Sequence, residues 1–489
     1  MMAWIWAVLS AILLVYLLQQ LLGPNRLPPG PIGLPILGHF HLLGKNPHVD
    51  LCRLARKHGP IMGLRLGFVR AVVVSSPAAA ELVLKTHDLV FASRPRSDAS
   101  CRMSYDQRNL AFAPYGPYWR NMRKLCTLQL LSASKMKQFE PMRKAELGLL
   151  VASLKQSRDT VDLRARISAV NGDMNCLMIL GRKYSDRDLD EQDGFKALFS
   201  ETLEITAQFN LADYFPYIGG LDLHGLNRRM KRLSNVFDGF LEKIMEDHLQ
   251  KKQQSHDFVD TMMAIMDSGE AGFEFDRTHI KAVLLDLLIA GMDTSATATE
   301  WTMSELLRHP AVMKKLQEEL ESIVGLESMV EESHLDKLEY LECVVKEVMR
   351  LHPVAPLLIP HESMEDCELQ GFHIPKKSRV MVNVWAIGRD PDVWANPDSF
   401  TPERFVGSDI DMRGRHFELI PFSSGRRGCP GMQLGLALVK LLVAQLVHCF
   451  HWELPNGMKP HHIDMSEHFG LVTARAKRLM AVPTYRLHI

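Results

Sequence analysis

One short loop around a cysteine constrains the fold of this 489-residue chain more than any other segment. Cys429 lies in the stretch Phe422-Ser-Ser-Gly-Arg-Arg-Gly-Cys-Pro-Gly431, directly before an apolar stretch (Met432 to Phe450) that is typical of a helix. The three glycines permit positive φ angles, so this backbone can approach a flat ligand closely. Loop amides, the start of the next helix and two arginines favour a thiolate at Cys429. A structural buried cysteine after a surface turn is the plainer alternative.

Residues 1–23 are predicted to form a membrane anchor. The run from Trp4 to Leu22 is almost entirely apolar and long enough to cross the ~30 Å hydrocarbon core of a bilayer. A cleaved signal peptide is the alternative, but the run is long, lacks preceding basic residues and has no small-residue cleavage site. Arg26 and Lys45 follow it, which predicts that the rest of the chain is cytosolic. Residues 24–38 are predicted to be a stiff proline-rich hinge, and residues 39–489 the globular domain.

Composition and periodicity predict one large, mainly α domain with minor β structure. Acidic and basic residues number 57 each, so no overall positive charge indicates binding to nucleic acid. The eight cysteines include no C-x-x-C pair, which argues against a zinc ribbon or a disulfide framework. Apolar residues recur at spacings of three and four over most of residues 77–370. Short strands are expected within Gly59–Ser75, Val380–Val384 and Ala474–Leu487.

A polar interruption in a long apolar helix marks a second candidate site. The stretch Ala290-Gly-Met-Asp-Thr-Ser295 lies inside a predicted helix that ends near Pro310. Gly291 weakens a helix by roughly 1 kcal/mol relative to alanine. Asp293 and Thr294 need polar partners, water or a polar ligand if they are buried, and a threonine hydroxyl can donate to the i−4 carbonyl and bend the helix. A kinked core helix with satisfied polar groups explains the pattern equally well.

Three further motifs have ordinary explanations when each is taken singly. Glu347 and Arg350 lie on one face of a helix that Pro353 terminates, and Arg404 follows within Pro402-Glu-Arg-Phe405. Trp119 and Arg123 are four residues apart on a basic helix. A surface ion pair or a solvated cationic face would produce such patterns.

Together, and in this order, these motifs resemble those of the cytochrome P450 family, and the A-G-x-D-T and cysteine-loop variants are most similar to plant microsomal members. The resemblance implies the cytochrome P450 fold, with a single large haem-binding domain after an N-terminal membrane anchor. It also implies haem b as the cofactor, with the Cys429 thiolate as the axial ligand of the iron. The residues that it implies at the haem are Cys429, Trp119, Arg123, His361, Arg427, Phe422 and Gly431.

The same resemblance implies roles for the remaining motif residues. Thr294 would hold a hydroxyl network linked to dioxygen, and Asp293 would relay protons from solvent. Glu347, Arg350 and Arg404 would form a structural clamp that supports the haem region. His361 stands where many relatives place an arginine that binds a haem propionate.

The implied function is a haem-thiolate monooxygenase that inserts one oxygen atom of O2 into a small hydrophobic substrate, a plant specialised metabolite such as a terpenoid or a phenolic. The sequence has no Walker loop and no G-x-G-x-x-G fingerprint, so its electrons must come from a partner. The resemblance names NADPH–cytochrome P450 reductase, and the basic residues Arg123, Lys124 and Arg426 suit an acidic docking surface.

The implied location is the endoplasmic reticulum membrane, which the chain would span once with its catalytic domain in the cytosol. Two alternatives are an O2-independent haem-thiolate isomerase or dehydratase, and a non-enzymatic, membrane-tethered haem-binding protein.

Overall fold

The structure is a computed structural model, and it describes residues 27–183, 195–207, 210–215, 217, 222, 225–250 and 256–489. The predicted anchor (residues 1–23) and the first residues of the predicted hinge lie outside the described part of the chain.

Helices make up most of the described chain, which confirms the mainly α prediction. Their starts follow ordinary capping chemistry: Ser76, Asp162, Asp257 and Asp276 each accept a backbone N–H from the first turn of the helix that follows. In chain order the α-helices are α1 (Pro47–His58), α2 (Pro77–Glu81), α3 (Asp98–Arg102), α4 (Pro117–Leu125), α5 (Ala133–Gln138), α6 (Glu140–Lys155), α7 (Leu163–Leu180), α8 (Phe195–Ala207), α9 (Leu226–Gln250), α10 (Phe258–Ser268), α11 (Arg277–Arg308), α12 (Pro310–Val324), α13 (Glu339–Leu351), α14 (Val384–Ile387) and α15 (Met432–Cys449).

The β structure consists of short strands in small sheets. The strands are β1 (Ile61–Leu66), β2 (Val69–Val74), β3 (Val161–Asp162), β4 (His361–Glu362), β5 (Cys367–Leu369), β6 (Phe372–Ile374), β7 (Arg379–Val382), β8 (Phe450–Glu453), β9 (Glu467–His468), β10 (Ala474–Arg475) and β11 (Met480–Tyr485). The largest sheet within the described residues has the order β1-β2-β7-β4, with β2 antiparallel to β1 and parallel to β7. Each of the three stretches in which strands were expected contains them.

The core is built around α11, which packs against α7 on one side and α15 on another. Asp276 begins α11 with a capping box, and Pro310 follows its end. Among the described residues, α11 and α15 are the two helices long and apolar enough to cross a membrane, but 61% of the apolar window of each is buried inside the fold. Their hydrophobicity is therefore explained by their position in the core.

The described part of the predicted hinge lies against the first hairpin. The Gly63 N–H donates to the Pro29 carbonyl at 2.8 Å, and Gly38 forms a bridge to Leu66 at the end of β1. Gly38 has a φ of +65°, and a Cβ atom there would lie 2.0 Å from the Arg65 carbonyl oxygen. Only glycine fits this close approach, so the hinge backbone is tied to the sheet.

Candidate cofactor site

The cysteine loop is closed by its own backbone. The Cys429 N–H donates to the Phe422 carbonyl at 2.9 Å, and the Gly428 N–H donates to the Gly425 carbonyl at 3.1 Å. Gly425 has a φ of +66°, and a Cβ atom there would lie 2.1 Å from the Leu84 carbonyl oxygen. This position therefore requires glycine.

Of the three loop glycines, only Gly425 takes a positive φ angle. Gly428 has a φ of −56° because it follows a 3-10 turn (Gly425–Arg427) in extended backbone. Gly431 has a φ of −90° as the residue that caps α15. Ser423 takes the other positive φ of the loop, +63°.

Cys429 is the one cysteine of the eight whose side chain is exposed, although protein surrounds it. Burial raises the pKa of its thiol, while the Gly431 amide and the positive charge of Arg123 act in the opposite direction. The amide and the positive charge act in the expected direction, but desolvation outweighs them when no metal cation is bound. A bound metal cation would reverse this direction, since a thiol that coordinates a metal is deprotonated.

Two buried arginines lie at this site, Arg427 within the loop and Arg94 outside it. Arg427 donates to the carbonyls of Ala92 at 2.6 Å and Ala113 at 2.5 Å, and Arg94 donates to the Ile359 carbonyl at 2.5 Å. Within the described residues, neither guanidinium group has a carboxylate partner. Burial and the nearby charge of Arg123 lower the pKa of Arg427 to about 9, and burial and Arg427 likewise lower the pKa of Arg94. The arrangement concentrates positive charge that an anionic ligand would neutralise.

His361 lies beside these two arginines. Its Nδ1–H donates to the Phe91 carbonyl at 2.7 Å, and its Nε2 atom has no hydrogen-bond partner in the described structure although the residue is only 3% exposed. Burial and the positive charges of Arg94 and Arg427 lower its pKa well below the ordinary value. An anion at Nε2 would oppose this shift and favour the protonated ring.

Helix α4 contacts the loop through both of its motif residues. The Trp119 ring lies 4.2 Å from the Arg427 guanidinium carbon, and its indole N–H donates to the Leu110 carbonyl at 3.0 Å. Arg123 donates to the Gly428 carbonyl at 2.7 Å, next to the cysteine. The single donor of Trp119 is thus already used, and a direct contact between Trp119 and a propionate stays a prediction.

Helix α11 presents the polar interruption of the sequence. Ala290 is exposed in the middle of this otherwise buried helix, and the Thr294 hydroxyl donates to its carbonyl at 2.7 Å, the i−4 bond that was expected. The helix nevertheless continues as α-helix from Arg277 to Arg308.

Two asparagines of α7 support this part of α11, and sequence reasoning missed both. The Asn171 side-chain amide donates to the carbonyls of Gly291 at 2.9 Å and Met292 at 2.7 Å, and the Asn175 amide donates to the Gly291 carbonyl at 3.2 Å. A Cβ atom at Gly291 would lie 2.3 Å from the Asn175 carbonyl oxygen, so this glycine permits close packing of α7 on α11. Two asparagines one turn apart in an apolar helix were the available signal.

Asp293 lies at the edge of this polar region. Burial raises the pKa of its carboxyl, and the Arg164 guanidinium, 3.6 Å away, partly offsets the shift. Arg164 also pairs at 2.8 Å with Glu300, a fully buried carboxylate two turns further along α11. A carboxyl with a raised pKa suits a group that must hold and release a proton.

The three predicted clamp residues lie together in the interior. Glu347 accepts two hydrogen bonds from Arg350, at 2.7 and 2.8 Å, and one from Arg404 at 3.0 Å. Arg350 also donates to the carbonyls of Gly388 at 2.5 Å and Pro397 at 2.6 Å. The clamp therefore joins α13 to the chain that leads into the cysteine loop.

The residues present fit the haem that the sequence predicts. Cys429 offers a soft sulfur ligand for an iron, and Arg94, Arg427 and the unpartnered Nε2 of His361 offer positive charge and a polar contact for the two propionates. Arg94 is the residue of this group that the motifs did not reveal. Its only signal was a charged side chain in an otherwise small and apolar stretch, Phe91-Ala-Ser-Arg94.

Comparisons with known proteins agree with this fit. A family model described as Cytochrome P450 matches residues 28–480. Cytochrome P450 CYP736A12 from Panax ginseng is 51% identical over 476 residues, which cover 95% of this chain and 94% of that protein. The 4-hydroxyphenylacetaldehyde oxime monooxygenase of Sorghum bicolor is 42% identical over 473 residues, covering 94% of this chain and 89% of that protein. A zebra fish cytochrome P450 solved with progesterone has a TM-score of 0.78 and 26% identity, covering 90% of this chain and 99% of that one.

Proposed function

Because this chain belongs to the cytochrome P450 family, we propose that its cysteine loop and the polar centre of α11 form the two sides of one oxygen-activating site. The protein is a haem-thiolate monooxygenase of specialised metabolism, and it uses O2, an organic substrate and electrons from a redox partner. The observation that carries the assignment of the site is the exposed thiol of Cys429 beside the buried arginines and the unpartnered Nε2 of His361.

The chain's own residues would hold the haem from two directions. Cys429 would bind the haem iron through its sulfur, and Arg94, Arg123, Arg427 and His361 would hold the haem by offering charge and hydrogen bonds to its propionates. When bound, haem supplies the activation of dioxygen and the oxidising chemistry. Phe422 and Gly431 hold the loop closed around the sulfur, the first by accepting the Cys429 N–H and the second by offering its amide.

Residues of α11, on the opposite side of the site, would transfer protons. The Thr294 hydroxyl donates its proton to the Ala290 carbonyl, so its oxygen remains able to accept a hydrogen bond. Asp293, whose pKa is raised by burial, would take protons from solvent and pass them toward this hydroxyl. Arg164 keeps the Asp293 carboxyl in place by its charge.

We further propose NADPH–cytochrome P450 reductase as the electron donor. Lys124 and Arg426 are exposed near the cysteine loop, although Arg426 is paired with Asp88, whereas Arg123 is turned inward. An acidic partner surface would be attracted by this face and could exchange Asp88 for its own carboxylates.

A membrane location is supported by one exposed apolar face near the start of the described chain. Ile32 is 80% exposed and Tyr217 87% exposed. The Phe68 ring lies 5.7 Å from the Tyr217 ring, and the Gly67 N–H donates to the Leu37 carbonyl. Exposed apolar side chains suit a bilayer surface, and the sequence has an apolar run ahead of them in residues 1–23. We propose single-pass anchoring in the endoplasmic reticulum membrane, with residues 39–489 in the cytosol.

The substrate is proposed to be a small hydrophobic plant metabolite, a terpenoid or a phenolic. Half-buried apolar side chains of α11, including Leu287 and Ile289, offer apolar surface next to Ala290. The Sorghum relative named above acts on a phenolic compound by its name, which favours the phenolic class.

The experiment that tests this function is turnover in microsomes that contain the reductase, with isotopically labelled O2 and product identification by mass spectrometry. A substrate screen with terpenoids and phenolics should yield a product that carries one labelled oxygen atom. The reduced protein should give a thiolate-type carbon monoxide spectrum that Cys429→Ala abolishes. Products without label would favour an isomerase or dehydratase, and a spectrum without any turnover would favour a haem-binding protein.

A further inference from the structure

A second aspartate of α11 is not used by the proposed mechanism. Asp286 lies one turn before Ala290, and its Oδ2 atom accepts the backbone N–H groups of Leu110 and Ala111, each at 3.0 Å. Its Oδ1 atom accepts the side-chain amide of Asn109 at 3.1 Å. In the described structure no cation pairs with it. A half-buried carboxylate that protein surrounds without a paired cation costs free energy, so its position requires an explanation.

The same loop, residues 109–113, also contacts the cations of the haem site. The Leu110 carbonyl accepts the Trp119 indole N–H at 3.0 Å and Arg427 at 3.4 Å. The Ala111 carbonyl accepts Arg94 at 3.2 Å. The N–H groups of this loop thus point to α11, while its carbonyl groups hold the two arginines.

We propose that Asp286 is a positioning residue, which fixes residues 109–113 to α11 and thereby sets where Arg94 and Arg427 stand for the haem propionates. The haem part of this inference rests on the proposed function. The attachment of the loop to α11 rests on the three hydrogen bonds alone.

The ionisation of Asp286 agrees with this positioning role. Burial raises the pKa of Asp286 to about 6, and the N–H groups of Ala111, Leu110 and Asn109 limit the rise. The group is therefore mainly a carboxylate at neutral pH, which is the form that accepts all three hydrogen bonds. The titratable groups that face it are the thiols of Cys126 and Cys429, and its charge acts to raise the pKa of both.

The test exploits the geometry of Asn109, whose Oδ1 atom accepts the Phe112 N–H at 2.9 Å. In Asp286→Asn a side-chain amide would replace Oδ1 and face the Asn109 amide, donor against donor. Hydrogen exchange at the Leu110 and Ala111 amides should then become at least about tenfold faster, as expected when a charge-assisted bond is lost. Release of haem to excess apomyoglobin should accelerate by a similar factor.

A charge-swapped double variant distinguishes positioning from general damage. Asn109→Asp alone sets two carboxylates against each other and should be at least as harmful as Asp286→Asn. Asn109→Asp combined with Asp286→Asn restores an Asp–Asn pair with the roles exchanged, and should recover most of the amide protection and the haem retention. If either single variant fails to fold, the double variant still tests the positioning role of Asp286, because it restores the Asp–Asn pair.

Asp98→Asn is the matched control, because Asp98 accepts the side-chain amide of Asn210 at 3.1 Å outside residues 109–113. It should leave exchange at Leu110 and Ala111 unchanged. Equal exchange in Asp286→Asn and the unmodified protein would overturn the proposal, as would a double variant no better than its singles or faster exchange with unchanged haem release. If the unmodified protein gives no thiolate-type spectrum, the proposed function fails. The hydrogen-exchange data would still test whether Asp286 attaches residues 109–113 to α11.

Discussion

At the scale of single residues, charge without a counter-charge is the main feature of the site. Arg427 is buried and bonded to backbone carbonyls, so we expect a haem propionate to be its counter-ion. Arg427→Ala should weaken haem retention by roughly 1.5–3 kcal/mol, the range for hydrogen bonds to charged groups. Haem release kinetics would measure this loss. Arg413→Ala, at an exposed arginine, is the control, and equal release from both variants would contradict the assignment.

The hydroxyl of Thr294 permits an equally direct test within one helix. Thr294→Val removes the hydroxyl at nearly constant volume, so protons should reach the site less efficiently and NADPH consumption should separate from product formation. Thr302→Val is a matched control, because the Thr302 hydroxyl makes the same i−4 bond, 2.7 Å to the Ala298 carbonyl, in the buried part of α11. The ratio of product to NADPH should fall only in the first variant, and an unchanged ratio would remove the proposed role of Thr294.

At the scale of helices, the close packing of α7 on α11 depends on Gly291. Gly291→Ala should lower the free energy of unfolding by about 1–3 kcal/mol, because the new methyl group collides with Asn175. Gly148→Ala in α6 should have the opposite sign and stabilise by about 0.5–1 kcal/mol, since nothing lies within 4 Å of its added Cβ atom. Denaturant unfolding of the two variants checks this. Stabilisation by Gly291→Ala would show that the contact is not tight.

Helices and strands were predictable from the sequence where the apolar period and the capping residues agree. The long helix around Asp293 and the helix after Cys429 are examples, because each has a clear boundary residue in Pro310 or Gly431. Asn171, Asn175 and Asp286 were not recognised. Each of them bonds to main-chain groups more than 100 residues away, and any residue offers such a group, so no sequence pattern records these contacts.

At the scale of the whole molecule, the order of the motifs along the chain was more informative about the fold than any single motif. Thr294, Glu347, Arg404 and Cys429 follow one another along the chain, and the fold brings Arg404 to Glu347 across 57 residues. The order of the motifs along the chain does not predict the pKa values of their side chains, however. The net direction of the Cys429 pKa depends on how much protein surrounds the thiol, which only the folded structure reveals.

Glu305 of α11 and His352, the residue that directly follows α13, belong to a group of ionisable residues in the interior. This group should make the stability of the protein depend on pH. Glu305 accepts a hydrogen bond from His352 at 2.7 Å, and His309 lies 3.3 Å from its other oxygen. Although burial raises the pKa of Glu305, the hydrogen bonds and charges of His309 and His352 outweigh it and lower the pKa to about 2. A lowered carboxyl pKa contributes stability above the unfolded value near 4.5 that is lost as the pH falls toward 2.

Glu305→Gln should therefore cost on the order of 3 kcal/mol of unfolding free energy at pH 6, because the favourable interactions of the carboxylate that lower its pKa to about 2 are lost. The cost should shrink between pH 4.5 and pH 2, because the unmodified protein loses the same contribution there. Denaturant unfolding across this pH range measures both effects. Glu318→Gln, at an exposed glutamate of α12, should leave the profile unchanged. If the loss of unfolding free energy in Glu305→Gln stays constant with pH, Glu305 stabilises the protein by packing and not by its ionisation.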